Sequence, residues 1–117
     1  RSLRAGEPTQ IPGDGNQTRD YVHIDDVVRA NLLALAIPAD FPNPIFNIAT
    51  GRGTSLNDIY AMIAKILKKN PKPSRGPSRP GEQQHYRLNA SKFFKATGWR
   101  PTIRLAAGLR NTLERLS

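Results

Sequence analysis

Gly13-Asp14-Gly15-Asn16-Gln17-Thr18-Arg19-Asp20-Tyr21-Val22-His23-Ile24-Asp25-Asp26 is the stretch that decides how this chain folds. A Gly-Asp-Gly turn separates two short extended segments, Thr9 to Pro12 and Asp20 to Ile24. The second sets Tyr21 and His23 against Val22 and Ile24, which gives one wet face and one packed face. Asp25-Asp26 then supply an N-cap and favourable first-turn charge for a helix. Its apolar positions Val27, Val28, Leu32 and Leu35 keep to one face, and it ends before Pro38. Strand, turn, strand and helix in quick succession predict an α/β fold.

Outward from this stretch, Arg1-Ser2-Leu3-Arg4-Ala5-Gly6 reads as the last turns of a helix closed by glycine, so the chain reads as a piece of something longer. Downstream, Ile45-Phe46-Asn47-Ile48-Ala49 has the apolar, β-branched character of a buried strand. Gly51-Arg52-Gly53 turns the chain. Ser55 with Asp58 then makes a capping-box-like entry to a helix with Leu56, Ile59, Tyr60, Ile63 and Leu67 on one stripe. Asn70 to Pro80 carries four prolines, which excludes a helix and predicts an extended or loop segment. A short strand near Tyr86-Arg87-Leu88 follows, then a helix from about Ala90 to Thr97 stopped by Gly98. A last amphipathic helix carries Leu105, Leu109, Leu113 and Leu116. The expected architecture is a small α/β lobe of about four helices and short strands.

The 117 residues, 38% of them apolar, fit one domain, 1–117. A net charge of +9, from 18 Lys and Arg against 9 Asp and Glu, draws anions without choosing among nucleic acid, acidic lipid and small phosphate esters. The absence of cysteine excludes a disulfide framework and a thiolate zinc site. No apolar run approaches the ~18 residues of a membrane span, and no leader-like apolar region follows the basic N-terminus. A soluble, cytoplasmic protein is expected, in which the Asn16-Gln17-Thr18 and Asn89-Ala90-Ser91 acceptor sites are idle.

Two arginine contexts carry the chemistry. Arg79-Pro80-Gly81-Glu82 has the proline and glycine of a type II turn, so Arg79 and Glu82 are held close together. They offer either a phosphate and a sugar hydroxyl their partners, or each other a surface salt bridge worth under ~1 kcal/mol. Arg19, at a strand mouth after the glycine turn, either grips an anion or pairs with Asp20. Two guanidinium forks at one point suit a diphosphate. Gly51-Arg52-Gly53-Thr54-Ser55-Leu56 lacks the third glycine of a dinucleotide loop and reads as a turn. Asp25 and Asp26 read as helix capping and His23 as structural, so no metal site is expected. The basic run Lys68 to Arg75 has no interleaved aromatics and reads as a solvated loop, with no nucleic-acid partner.

In order along the chain, the Gly-Asp-Gly-x-Gln-Thr-Arg-Asp-Tyr-Val-His-Ile-Asp-Asp-Val run, Phe46-Asn47-Ile48-Ala49-Thr50-Gly51, Arg79-Pro80-Gly81-Glu82, Ser91-Lys92 and Gly98-Trp99-Arg100-Pro101 resemble the NAD-dependent sugar-nucleotide epimerases and dehydratases, extended short-chain dehydrogenases, with UDP-glucose 4-epimerases the most similar. The resemblance covers essentially the whole chain but only the C-terminal, substrate-binding part of such enzymes. It implies that Arg19 and Arg79 clamp a UDP-sugar diphosphate, that Glu82 takes the ribose hydroxyls, and that Tyr86 lies near the hexose. It also implies an isomerase that interconverts UDP-glucose and UDP-galactose through a 4-keto sugar, with a 4,6-dehydratase or decarboxylase of the same family as the alternative. A stand-alone basic polyanion-binding module is the alternative from another class. NAD and the catalytic Tyr-x-x-x-Lys pair would belong to a missing N-terminal Rossmann domain, so this chain alone carries no catalytic or cofactor-binding residue and is expected to be inactive. The parent enzyme would be a homodimer. Arg104, Ala106 and Ala107 stand where relatives usually carry a capping hydroxyl and acidic residues, weakening the last helix by ~1 kcal/mol, and Asn89 replaces a common aspartate.

Overall fold

The computed structural model describes residues 2–116. Its elements are α1 (Ser2–Ala5), β1 (Gln10–Pro12), β2 (Thr18–Arg19), α2 (Ile24–Ala34), β3 (Thr54–Ser55), α3 (Leu56–Ile66), β4 (Ser74–Gly76), α4 (Ser91–Thr97) and α5 (Leu105–Arg115). The strands form two small sheets: β1 runs parallel to β4, with Ile11 opposite Arg75, and β2 runs antiparallel to β3, with Arg19 opposite Thr54. The α/β class is as the sequence predicts, and helices account for most of the regular secondary structure. α1 ends as anticipated, with the Gly6 amide on the Leu3 carbonyl at 3.1 Å. Arg1, the first residue of that reading, lies outside the described residues.

Several elements differ from expectation for identifiable reasons. Strand pairing stops at Arg19, because the Asp20 carboxylate turns to the backbone of Thr50 and Gly51. The Asp20 to Ile24 segment is therefore no strand, and Ile24 already belongs to α2. His23, not Asp25, caps this helix: its Nδ1 accepts from the Asp25 amide at 3.2 Å. The apolar stripe of α2 is also turned round. Asp26 and Ala30 form the buried side, whereas Val28, Leu32 and Leu35 face solvent. Ile45 to Ala49 enters neither sheet, and Tyr86 to Leu88 forms no strand, the adjoining His85 making a single bridge to Thr18. Conversely, part of the Pro-rich segment is a strand: Ser74–Gly76, between Pro73 and Pro77, pairs with β1.

The helix ends were more legible. Ser55 Oγ accepts from the Asp58 amide at 3.1 Å and donates to its carboxylate at 2.6 Å, the capping interaction expected for α3. α4 ends at Gly98. α5 starts at Arg104 with no side-chain cap, in keeping with the missing hydroxyl. Among the described residues no helix is long and apolar enough to cross a membrane.

The main core lies between α2 and α4. Ala30, Phe93 and Trp99 are buried, with Leu33, Ile37, Phe46 and Ile48 packed against them. Phe46, Phe93 and Trp99 meet edge to face at centroid separations of 5.3 and 5.8 Å, near the favourable range for ring quadrupoles. Asp26 is the anchor of this region at 1% exposure. Its carboxylate accepts from the amides of Thr102 at 3.1 Å and Ile103 at 3.0 Å, the Thr102 hydroxyl at 3.0 Å and Arg29 at 2.7 Å. Its carbonyl receives the Trp99 indole N–H at 3.0 Å. A carboxylate this buried is tolerable only with such a complete set of donors.

Burial works against ionisation of Asp26, but the donated hydrogen bonds of Ile103 and Thr102 and the Arg29 charge together hold its carboxyl below the usual carboxylate range. The stabilisation is present above the unfolded-state value of about 3.9 and is lost as pH falls through the lower, folded-state value. Asp26→Ala, which strands these donors, is expected to cost about 3 kcal/mol in urea denaturation at pH 7. Asp26→Asn should show a smaller loss of stability between pH 5 and pH 2 than the wild type, and an equal loss would refute this role.

Candidate functional site

β2 is only two residues long, yet both its edges are occupied. β3 covers one. On the other, the Thr18 amide donates to the Gln84 carbonyl at 2.8 Å, and the Thr18 carbonyl accepts the Tyr86 amide at 3.1 Å. Gly53 explains how β3 comes so near: a Cβ there would stand 3.1 Å from Thr18 Oγ1. The Gly51-Arg52-Gly53 turn is thus accounted for by packing on β2, as its reading as a simple turn requires.

Arg19 projects from this strand onto the segment that carries the second arginine context. Its guanidinium donates to the Thr18 and Gln83 carbonyls, each at 2.8 Å, and meets Glu82 Oε1 at 3.0 Å. Three of its five N–H donors are thereby used, and the other two have no partner among the described residues. The pair is partly exposed, with side-chain accessibilities of 33% for Arg19 and 19% for Glu82, so its stabilising value is about 1 kcal/mol or less. It works mainly as geometry, fixing a fork that would otherwise sample many rotamers.

The Arg79-Pro80-Gly81-Glu82 turn forms as its sequence requires. The Glu82 amide reaches the Arg79 carbonyl at 3.2 Å, and Gly81 has φ of +75°, the left-handed conformation a type II turn needs at its third position. Arg79 is exposed and, among the described residues, its side chain has no hydrogen-bond or ion-pair partner. Neither of the pairings that stood as the alternative to anion binding occurs: Glu82 takes Arg19 rather than Arg79, and Asp20 does not take Arg19. Tyr86 is joined to β2 through its backbone and is exposed. Arg19, Glu82 and Tyr86 therefore share one end of β2, with Arg79 a single turn away. A cavity of about 370 Å³, walled by Gly13, Asp14, Gln17, Ser78, Glu82 and Gln84, includes Glu82 but none of the other three. A larger one of about 820 Å³ lies between α3 and α5 and touches none of the four.

Asp20 was missed from the sequence and organises the site. One carboxylate oxygen accepts from the Thr50 amide at 2.9 Å and its hydroxyl at 2.5 Å. The other accepts from the Gly51 amide at 2.8 Å and the Leu88 amide at 3.4 Å. One side chain thus ties β2 to the 50–51 turn and to the segment bearing Glu82 and Tyr86. Partners 30 and 68 residues away leave no local signal. The same holds for the contact from Arg19 to Glu82, 63 residues apart.

The basic loop is also anchored. Arg75 donates to the Asp14 carbonyl at 2.8 Å and to Asn57 at 3.0 Å, and the Tyr60 hydroxyl donates to the Pro71 carbonyl at 2.8 Å. Among the described residues, no three His, Cys, Asp or Glu side chains gather as a metal site would. His23 packs on the helix backbone at Gly108, where an added Cβ would come within 2.8 Å of its ring.

Comparison with known proteins adds the following. Residues 1–49 match the model of the NAD dependent epimerase/dehydratase family. The chain is 38% identical over 113 residues to a UDP-glucose 4-epimerase of Mycolicibacterium smegmatis, covering 97% of this chain and 36% of that protein. It is 30% identical to a dTDP-glucose 4,6-dehydratase of Haemophilus influenzae, covering 93% of this chain and 35% of that protein. Its fold superposes with a TM-score of 0.89 on the UDP-glucose 4-epimerase of Thermotoga maritima solved with UDP-glucose, at 39% identity, over 97% of this chain and 36% of that one. The chain spans little more than a third of the length of these relatives.

Removing the Asp20 hub by Asp20→Ala should speed hydrogen exchange at the Thr50, Gly51 and Leu88 amides by about tenfold or more, as each loses a charge-assisted bond worth about 1.5 kcal/mol. The Asp58 amide, capped independently by Ser55, should be unchanged. Unaltered exchange at Thr50 and Gly51 would show that Asp20 does not hold this turn.

Proposed function

The chain belongs to the NAD-dependent epimerase/dehydratase family, and from that premise we propose that it is the UDP-sugar-binding portion of an NAD-dependent UDP-glucose 4-epimerase. The observation that carries the reading is the contact from Arg19 to Glu82 at 3.0 Å. It draws together two arginine contexts far apart in the chain, so that Arg79 lies within about 7 Å, one β-turn, of the residue Arg19 touches.

In this reading Arg19 and Arg79 take the diphosphate. Arg19 is held in place by Glu82 and by the Thr18 and Gln83 carbonyls before the ligand arrives, so less rotamer freedom is lost on binding. Arg79, without a partner of its own among the described residues, supplies the charge that Glu82 offsets at Arg19. In the same reading Glu82 accepts from the ribose hydroxyls, and Tyr86 lies along the hexose. NAD, held by another part of the enzyme, supplies hydride removal and return at sugar carbon 4. The residues of this chain bind and orient, which is how energy from a remote diphosphate supports a reaction elsewhere on the substrate.

A 4,6-dehydratase of the same family is the second reading, favoured by the likeness to the Haemophilus influenzae enzyme. Both readings need the same grip on the nucleotide. A polyanion-binding module is disfavoured by the anchoring of Arg75 and by the absence of aromatics among the basic residues of that loop.

Calorimetric titration separates the classes. UDP should bind the wild type, and Arg19→Ala and Arg79→Ala should each weaken it roughly 10- to 100-fold, the loss of one charge-assisted phosphate contact. Equal UDP affinity in the wild type and the double variant would overturn the clamp. A short oligonucleotide that binds more tightly than UDP, with a steep salt dependence, would favour the polyanion reading.

A further inference from the structure

Each of the two backbone stretches tied down by Asp20 and Asp26 carries an arginine. Arg52 follows the turn at Thr50 and Gly51, whose amides donate to the Asp20 carboxylate at 2.9 and 2.8 Å. Its own amide is held too, donating to the Thr50 hydroxyl at 3.2 Å. Arg104 follows Thr102 and Ile103, whose amides donate to the Asp26 carboxylate at 3.1 and 3.0 Å. Both arginines line one cavity of about 320 Å³. Two guanidiniums 52 positions apart in sequence are thus brought to a common space on backbone that is already fixed, which is what a preorganised site requires.

No acidic side chain lines this cavity. Elsewhere in the chain arginines are answered: Arg19 takes Glu82, Arg29 takes Asp26, Arg115 takes Asp25, and Arg100 lies over the Phe94 ring. The Arg52 and Arg104 side chains have no hydrogen-bond, ion-pair or ring partner among the described residues. Two like charges that face one space repel each other, and an anion between them turns that cost into attraction. The Tyr21 and Thr54 hydroxyls line the same cavity and are likewise without a partner among the described residues. Ile103 and Leu105 give it an apolar wall. Its volume lies near the low end of the roughly 300–1,000 Å³ of small-molecule sites, which suits a compact organic anion better than a nucleotide. None of Arg19, Arg79, Glu82 and Tyr86 takes part in it.

We propose that Arg52 and Arg104 form a second anion site, separate from the diphosphate grip, that takes a small phosphate monoester. The two planar forks bind the phosphoryl oxygens, a geometry that guanidinium matches better than ammonium. Tyr21 and Thr54 donate to the oxygen left over, and Ile103 and Leu105 pack on the carbon part of the ester. The residues differ from those of the nucleotide grip, so either site can be lost without the other.

The test follows the arginine side-chain resonances of ¹⁵N-labelled chain during titration with inorganic phosphate and, separately, with glycerol 3-phosphate. Arg52 and Arg104 should shift saturably with both, and the ester should bind at least as tightly as inorganic phosphate. Arg52→Gln and Arg104→Gln should each weaken the ester about tenfold, the loss of one charge-assisted contact, and Arg52→Lys/Arg104→Lys should retain weaker binding than the wild type. Lys68→Gln/Lys69→Gln removes the same charge from an exposed loop and should leave the affinity within about twofold. The Arg19→Ala/Arg79→Ala chain should keep the full response at Arg52 and Arg104, and Arg52→Gln/Arg104→Gln should keep the wild-type affinity for UDP. No saturable shift at Arg52 and Arg104, or saturation by inorganic phosphate but not by the ester, would overturn the proposal. An equal loss in the Lys68/Lys69 variant would do so too, by making net charge the cause. So would loss of the response in the Arg19→Ala/Arg79→Ala chain, since the two sites would then be one.

Discussion

Strands of two or three residues cannot hold a site in place through their own ladders. In this chain two carboxylates take over the work that a wide sheet does in a larger domain. Asp20 gathers the end of β2, the turn at Thr50 and Gly51, and the segment running through Leu88. Asp26 gathers α2 and the stretch at Thr102 and Ile103 that leads into α5. Each satisfies backbone amides from distant parts of the sequence, and burying the Asp26 charge makes its donors obligatory rather than optional. The position of Arg19, and through it that of Glu82, depends on β2 staying where these contacts hold it.

Local chemistry decided which parts of this were legible beforehand. The cap of α3 was readable because Ser55 and Asp58 are three residues apart, and the type II turn because Pro80 and Gly81 impose the backbone angles themselves. The arginine contexts were readable as separate motifs. Their meeting through Glu82, and the hub at Asp20, were not, since both join residues tens of positions apart. Asp26 was misread as a capping residue because the first turn of a helix is where an aspartate is ordinarily useful; burial gave it another task. The strand expected at Ile45 to Ala49 has the composition of a buried strand, but nothing among the described residues pairs with it.

The reversal of the α2 stripe has the same root. Periodicity places apolar residues on a common face of a helix but does not say what covers that face. Both sides of α2 satisfy the pattern: one packs on Phe93 and Trp99 through Ala30 and Leu33, the other meets solvent. The proposed nucleotide grip lies instead at β2 and the Arg79 turn, built from residues other than those of this face.

The central claim, that β2 and the Arg79 turn form a grip for a nucleoside diphosphate, is tested most directly by following the backbone and arginine side-chain resonances of ¹⁵N-labelled chain during titration with UDP. The account predicts saturable shifts at the Arg19 and Arg79 side chains and at the amides of Glu82 to Tyr86, with Lys68 to Lys72 silent. Shifts concentrated in Lys68 to Arg75, with Arg19 and Glu82 unmoved, would contradict it.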